Sequence, residues 1–342
     1  MINLLNGIYI KGKRNSMTRL IFDYDFVVFK AACAVENRFV NVTNKKTNKE
    51  LIFKNRTEVY GASRKRDGGW LAEQEGLTLD DILIEDQREV EPLANALKVA
   101  KTIIEGTCEI LNAESYYGYV SGRGNFRKEI CTLLPYKGNR EGMISPYYRD
   151  DVTKYLVYNH NAILTANQEP DDALTTDMYS AIKNSKDLIG VINEKDYYGC
   201  DGKWWHYDLN KLVDIHGFGH LERNSKGLVK GQGRLWKYFQ VCWADNSDNY
   251  DAACFSDKRN GQVGVFNKLK DCKNDLEAFT AMKYHFQLLY PTPKVITNWK
   301  GDNIEIDWLY VMQECFNMAH LLRWENDRVD VRKVLETFEI YP

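Results

Sequence analysis

At 342 residues the chain is long enough to bury a sizeable core, either as one large domain or as a core with an appended helical part. Its 46 Lys and Arg against 48 Asp and Glu give a net charge of −2, which excludes a protein that coats nucleic acid by bulk positive charge; phosphate binding has to come from local basic patches. No apolar run approaches the roughly 18 to 20 residues that cross a bilayer, Met1–Arg14 lacks the apolar segment of a signal peptide, and the eight cysteines contain no Cys-x-x-Cys pair, so the expectation is a cytoplasmic protein with reduced thiols and no membrane partner.

Residues 1–16 read as an extension, with Met17 a candidate start just ahead of a first strand, Thr18–Phe22. That strand runs into Asp23-Tyr24-Asp25 and then an apolar helix, Phe26–Val35. Carboxylates at the C-terminal end of a strand are how an open parallel α/β sheet presents chemistry, although a turn and a helix cap suit these residues equally. Arg38–Lys54 alternates like a hairpin, with Val40 and Val42 on one face. Arg56–Arg88 is largely polar and predicts a surface excursion. Pro92 opens a helix to Leu111 with one apolar stripe, and Tyr116–Val120 is the next strand.

Past that strand come Phe126-Arg127-Lys128-Glu129 and Pro135-Tyr136-Lys137-Gly138-Asn139-Arg140. Four cations and a tyrosine here suit a phosphate clamp, in which Arg binds as a fork, Lys as a point charge and Tyr stacks on a base. A solvated basic face has the same composition. A helix at Pro146–His160 and a strand at Ala162–Ala166 lead to Gln168-Glu169-Pro170-Asp171-Asp172, three carboxylates within four residues at the head of a helix that runs to Asn184. A helix start favours acids, but like charges a few ångströms apart repel by roughly 1 kcal/mol even in water, and the pattern recurs. The strand Asp187–Ile192 ends in Asn193-Glu194-Lys195-Asp196, and the apolar Phe239–Ala244 is followed by Asp245-Asn246-Ser247-Asp248-Asn249. Between them, Lys203–Tyr207 predicts a strand that packs its tryptophans into the core. Ser256–Asp271 mixes Gly261 and Gly264 with Lys258 and Arg259, a second candidate nucleic-acid contact, and helices at Leu276–Leu289 and Trp308–Leu322 form a C-terminal helical part.

Strand ends in one parallel sheet converge, so the simplest arrangement of the four acidic groups is one pocket for divalent cations. Carboxylates without His or Cys favour Mg²⁺ or Mn²⁺, and two such ions roughly 3.5 to 4 Å apart clamp a phosphodiester undergoing hydrolysis.

In this order the motifs resemble those of the 5′-nuclease family, which holds flap endonucleases, the 5′-exonuclease domain of bacterial DNA polymerase I and, nearest to this chain, small phage exonucleases. They are Phe-Asp-Tyr-Asp at 22–25, Phe-Arg-Lys-Glu at 126–129, Tyr-Lys-Gly-Asn-Arg at 136–140, Glu-Pro-Asp-Asp at 169–172, Glu-Lys-Asp at 194–196 and Ala-Asp-x-x-Asp-Asn at 244–249. The resemblance spans Leu20–Asn249 and extends to Ala319–Glu325. It implies an α/β fold with a mostly parallel central sheet flanked by helices, as in 5′-nuclease and PIN-like domains. A catalytic core over 17–250 would carry a helical arch near 123–150, and 251–342 would form a helical part with a degraded helix-hairpin-helix-like segment at Gly261 and Gly264. It implies metal-dependent 5′→3′ hydrolysis of DNA at 5′ ends or flaps of duplexes, and of RNA primers on DNA, in phage DNA replication or recombination, with two Mg²⁺ or Mn²⁺ ions. Matched by position, the metal ligands would be Asp23, Glu169, Asp171, Asp172, Glu194, Asp196, Asp245 and Asp248. Lys137 and Arg140 would act on the scissile phosphate, and Arg127, Lys128, Tyr136, Lys258 and Arg259 would bind nucleic acid. Asp25 is an extra acid beside Asp23. The family Asp expected just after the second strand is absent, since Val120-Ser121-Gly122-Arg123 contains none. That gap and the degraded hairpin motif leave a competing reading, a catalytically impaired DNA-end or junction-binding protein on the same fold.

Overall fold

Unbroken apolar runs fix the centre of the molecule. In the computed structural model, which describes residues 18–63 and 65–341, the central sheet has six strands: β1 (Arg19–Asp23), β2 (Ser115–Arg123), β3 (Ala162–Ala166), β4 (Leu188–Ile192), β5 (Gly202–His206) and β6 (Lys211–Ile215). Their spatial order is β3-β2-β1-β4-β5-β6, and every neighbouring pair is parallel except β5 with β6. The expected α/β class with a mostly parallel sheet is therefore the observed one. β1 and β4 lie adjacent at the middle and bury Leu20, Ile21, Phe22 and Leu188 through Ile192, as strands covered on both faces must. The proposed extension 1–16 and start at Met17 lie outside the described residues.

Two local details set the sheet's shape. A side chain at Gly190 of β4 would start 2.4 Å from the ring of Trp204, which lies fully buried against it. On β2 the register slips between Val120 and Arg123, a bulge that carries the strand three residues past its expected end. A Cβ on Gly122 would sit 1.9 Å from the Thr165 carbonyl, so the bulge admits only glycine. The helix Pro170–Lys183 starts with proline at its first position and packs Leu174, Met178 and Ala181 against Ile21, Leu188, Ile192 and Trp204. Each such fully buried apolar side chain contributes roughly 1.5–3 kcal/mol.

The chain divides into two units at places other than residue 250. One unit holds the sheet: it runs through Tyr24, takes in Gly106–Glu141 and resumes at His160. Its C-terminal helices Arg234–Cys242, Gln262–Leu269, Asp275–Leu289 and Trp308–Ala319 share one apolar core with Cys131, Leu133 and Tyr136, so the residues after 250 are part of this unit. The other unit comprises Asp25–Glu105 and Gly142–Asn159. The expected hairpin is there, Glu36–Asn44 with Glu50–Phe53, but a third strand, Ile82–Val90, pairs on the far side of Glu36–Asn44. The polar excursion at 56–88 thus contains structure: helices Arg56–Tyr60 and Gly69–Ala72 place Val59 and Leu71 on Val40, Val42 and Ile82. The strand Ile82–Val90 was hidden because it buries only Ile82 and carries mostly exposed polar residues elsewhere. The expected arch stretch consists of the helix Phe126–Ile130, a 3₁₀ turn Gly138–Arg140 and the helix Arg149–Asn159.

Candidate active site

The strand order reverses between β1 and β4, and in an open α/β sheet the crevice beyond the C-terminal ends of such a pair is where ligands bind. Asp23 closes β1, Glu194 follows β4, and Glu169 and Asp171 follow β3 at the head of the helix, so three acidic segments reach the same end of the sheet. The fourth, Asp245–Asp248, comes after the Arg234–Cys242 helix. It is tied in by the basic turn: Lys137 N donates to the Asp248 carbonyl (3.0 Å), Arg140 Nε to the Ser247 carbonyl (3.0 Å), Asn249 Nδ2 to the Pro135 carbonyl (2.8 Å), and the Asn139 amide to the Asn246 carbonyl. Lys137 itself takes a left-handed backbone conformation, φ +55°, which turns its side chain within the site.

The carboxylates do not share the site passively. Lys137 Nζ stands 2.5 Å from Glu169 Oε1 and 3.5 Å from Asp248 Oδ1, an ammonium bridging two acids. Burial alone would lower its pKa, but Asp248, Glu169 and Asp171 outweigh burial and hold it above the ordinary lysine value. Burial pushes the Asp171 carboxyl well above its usual range, and Asp23, Glu169 and Glu194 push it further. Asp196 is raised to about 7, by burial first and then by Asp245, with Lys195 opposing. Asp248 and Glu194 are raised as well, burial leading in both and Lys137 opposing. Tyr197 donates to Asp23 Oδ2 (3.1 Å), Tyr136 to Glu169 Oε2 (2.5 Å), Gln240 to Asp196, and Lys195 Nζ lies 3.3 Å from Asp245. Tyr197 and Gln240 were not singled out in the sequence, where an aromatic or amide beside an acid carries no signal of its own, and Lys195 stood within the Glu-Lys-Asp motif without a role assigned to it.

This donor set suits a hard divalent cation: the oxygens come from carboxylates, their ionisation is held back by one another, and ammonium groups occupy the space between them. Among the described residues no three of His, Cys, Asp or Glu form a ready metal cage, and the physical reason is visible in Lys137 between Glu169 and Asp248 and Lys195 against Asp245.

Three expected assignments change. Asp172 is fully buried and takes a two-pronged ion pair from Arg127, Nη1 to Oδ2 at 2.6 Å and Nη2 to Oδ1 at 2.9 Å, while Oδ1 also accepts from Leu322 N and Oδ2 from Glu169 N. With its oxygens so committed, it is a structural anchor rather than a metal ligand. Arg127, expected to face nucleic acid, is 1% exposed and also donates to the carbonyls of Met318 and His320, so it fastens the C-terminal segment. Tyr136, expected to stack on a base, is 5% exposed with its hydroxyl on Glu169, which leaves no open ring face for stacking. Arg140 and Lys128 do face solvent, as do Lys258 and Arg259 just before the Gln262–Leu269 helix.

No protein-family model matches the chain, and no curated protein matches it. Among solved structures it is similar to the 5′-exonuclease of bacteriophage T5 with bound zinc, at 14% identity over 72% of this chain and 89% of that one, TM-score 0.47. It is also similar to the bacteriophage T5 flap endonuclease in a pseudo-enzyme–product complex with DNA and metal ions, at 14% identity over 71% of this chain and 88% of that one, TM-score 0.44.

Proposed function

We propose that the chain is a divalent-metal-dependent 5′ nuclease that hydrolyses phosphodiesters at DNA 5′ ends or flaps, and at RNA primers annealed to DNA, in the manner of the phage exonucleases its motifs resemble. The observation that carries this reading is the gathering of acidic side chains from Asp23, Glu169, Asp171, Glu194, Asp196, Asp245 and Asp248 around the C-terminal end of the sheet, where burial and mutual repulsion raise the carboxyl pKa values of Asp171, Glu194, Asp196 and Asp248. A fold keeps such a cluster only if something else stabilises it, and a pair of Mg²⁺ or Mn²⁺ ions does so. When bound, the metal ions supply an activated water and neutralise the phosphate charge.

The protein's own groups then have separate tasks. Asp23, Glu169, Asp171 and Glu194 would hold one ion, and Asp196, Asp245 and Asp248 the other. Tyr197 and Tyr136 orient Asp23 and Glu169 by donating to one oxygen of each. Lys137 supplies positive charge between Glu169 and Asp248 and would be the cation that meets the scissile phosphate. Arg140, held at the rim by Ser247, adds a second cation there.

Ser121 in place of a carboxylate and the absence, among the described residues, of a formed three-ligand cage favour a second reading, a DNA-end-binding protein without turnover. A 5′-labelled duplex and a 5′-flapped duplex incubated with Mg²⁺, Mn²⁺ or EDTA decide between them. The nuclease releases short labelled products only with metal. Binding without products under all three conditions establishes the second reading instead.

A further inference from the structure

The loop that follows the Trp308–Ala319 helix is unusually well fastened. Arg127 donates to the carbonyls of Met318 (3.2 Å) and His320 (2.7 Å), Leu322 N donates to Asp172 Oδ1 (3.2 Å), and Thr175 Oγ1 donates to the Leu322 carbonyl (2.8 Å). Further on, Asp327 is 3% exposed and accepts from His320 Nε2 (2.9 Å), from Arg323 N (3.0 Å) and from both prongs of the Arg323 guanidinium (2.7 and 3.0 Å). Five residues after Arg323, the chain is therefore rigidly placed, and the residue it delivers is Arg328.

Arg328 is exposed, yet its guanidinium lies 3.5 Å from the ring centre of the buried Phe126. Arg127 approaches the same ring at 4.6 Å. The two arginines differ in one respect: Arg127 makes a two-pronged ion pair with Asp172, whereas Arg328 feels Asp172, Asp327 and Glu129 only at longer range and is repelled by Arg127. Its neighbour Arg127 in turn lies 3.9 Å from Glu169 in the acidic site. Lys128, next on the short helix, is exposed too. A guanidinium held against an aromatic ring has lost part of its freedom in advance while its N–H groups stay available to grip a phosphate with two hydrogen bonds. Covering Phe126 from water would need only an apolar or lysine stem, not a fork.

We propose that Arg328 is a binding residue for the nucleic-acid backbone, a phosphate fork seated on Phe126 and placed beside the acidic site by the Arg127–Asp172 clip. This rests on the nuclease reading above in that the ligand is the strand entering that site. The phosphate belongs to a nucleic-acid chain rather than to a small ligand because Arg328 is exposed to solvent, as is Lys128 next to the Phe126–Arg127 pair.

Fluorescence anisotropy of a 5′-flapped duplex with the full-length protein in EDTA, at several salt concentrations, tests it without cleavage. Arg328→Ala is expected to weaken binding about tenfold, with the slope of log affinity against log salt shallower by about one. Arg328→Lys should keep the slope but recover only part of the affinity, and Phe126→Leu, checked for an unchanged melting temperature, should weaken binding with Arg328 still present. Binding by Arg328→Ala with wild-type affinity and slope overturns the inference while leaving the nuclease reading in place. A wild-type protein that binds no nucleic acid at all overturns both. Equal losses from Arg328→Ala and Arg328→Lys with no change in slope also overturn it, since that pattern reports a disturbed loop rather than a lost phosphate contact.

Discussion

Two buried charge clusters stand side by side in this molecule, built from the same residue types, and they are balanced in opposite ways. Around Arg127 the buried acids are answered: Asp172 accepts from the guanidinium and from two backbone amides, and Asp327 binds His320 and Arg323. Burial lowers the His320 pKa to about 4, against the pull of Asp327, so the ring is a neutral donor. Around Asp171 the acids outnumber the cations, and burial with mutual repulsion pushes carboxyls up. A saturated network spends its charges on holding the chain in place, whereas an unsaturated one is incomplete until something enters. The two meet at adjacent residues, Asp171 and Asp172, and the sequence alone gives no sign that they belong to different clusters.

The sharpest way to break this comparison is to unbalance the saturated side. Arg127→Ala leaves Asp172 buried without its partner, and removing one member of a buried pair costs about 3–5 kcal/mol. The expected result is a large drop in the denaturant midpoint, or failure to fold, with Asp172→Asn destabilising in the same direction. If both variants unfolded like the wild type, Asp172 would be available as a metal ligand after all.

The second test uses the neighbouring residue. Asp171→Asn removes a charge from the crowded side, so its denaturant midpoint in EDTA should stay level or rise, while metal-dependent cleavage falls by at least about a hundredfold. DNA binding should persist, because a negative charge facing phosphate has been removed. Cleavage close to wild type would sink the metal-site assignment for Asp171, and a midpoint that fell as far as that of Asp172→Asn would erase the distinction between the clusters.

Much of the architecture was legible because it follows from periodicity. The apolar runs at 19–23, 162–166 and 188–192 are strands nearly to the residue, and the stripe from Pro92 is a helix at Leu93–Ile110. The acids were legible as groups, since three of the four follow parallel strands and reach one end of the sheet. What pattern could not supply was partner choice. Arg127 and Lys137 are both cations in a basic stretch, yet one turns inward to bond Met318, nearly two hundred residues away in the chain, and the other lies among Glu169, Asp171 and Asp248. Nothing in local composition distinguishes them, because the distinction is made by the C-terminal loop that covers Arg127. The strand Ile82–Val90 escaped for a related reason: it is held by pairing to Glu36–Asn44 rather than by an alternating buried face of its own.

The smallest expected effect concerns pH, and it separates the clusters by sign. His320, with a folded pKa of about 4 against an ordinary 6.5, binds fewer protons folded than unfolded between those values, so its contribution to stability is complete above pH 6.5 and is lost as pH falls towards 4. Asp196, raised from 3.8 to about 7, binds more protons folded than unfolded in its window, so it erodes stability as pH rises from 4 to 7. The two trends oppose each other in the wild-type protein without metal and flatten its stability profile. Asp196→Asn removes one of them. Melted in EDTA across pH 4 to 8, the variant should gain on the wild type progressively from pH 4 to about 7 and hold a constant advantage above it. Saturating Mg²⁺ should shrink that advantage, because the cation favours the ionised wild-type carboxylate and has less to gain from the amide. A difference between variant and wild type that stayed level across the whole range would mean that Asp196 titrates as an ordinary surface acid, and that the crowding on the Asp245 side of the site is too weak to call for a cation.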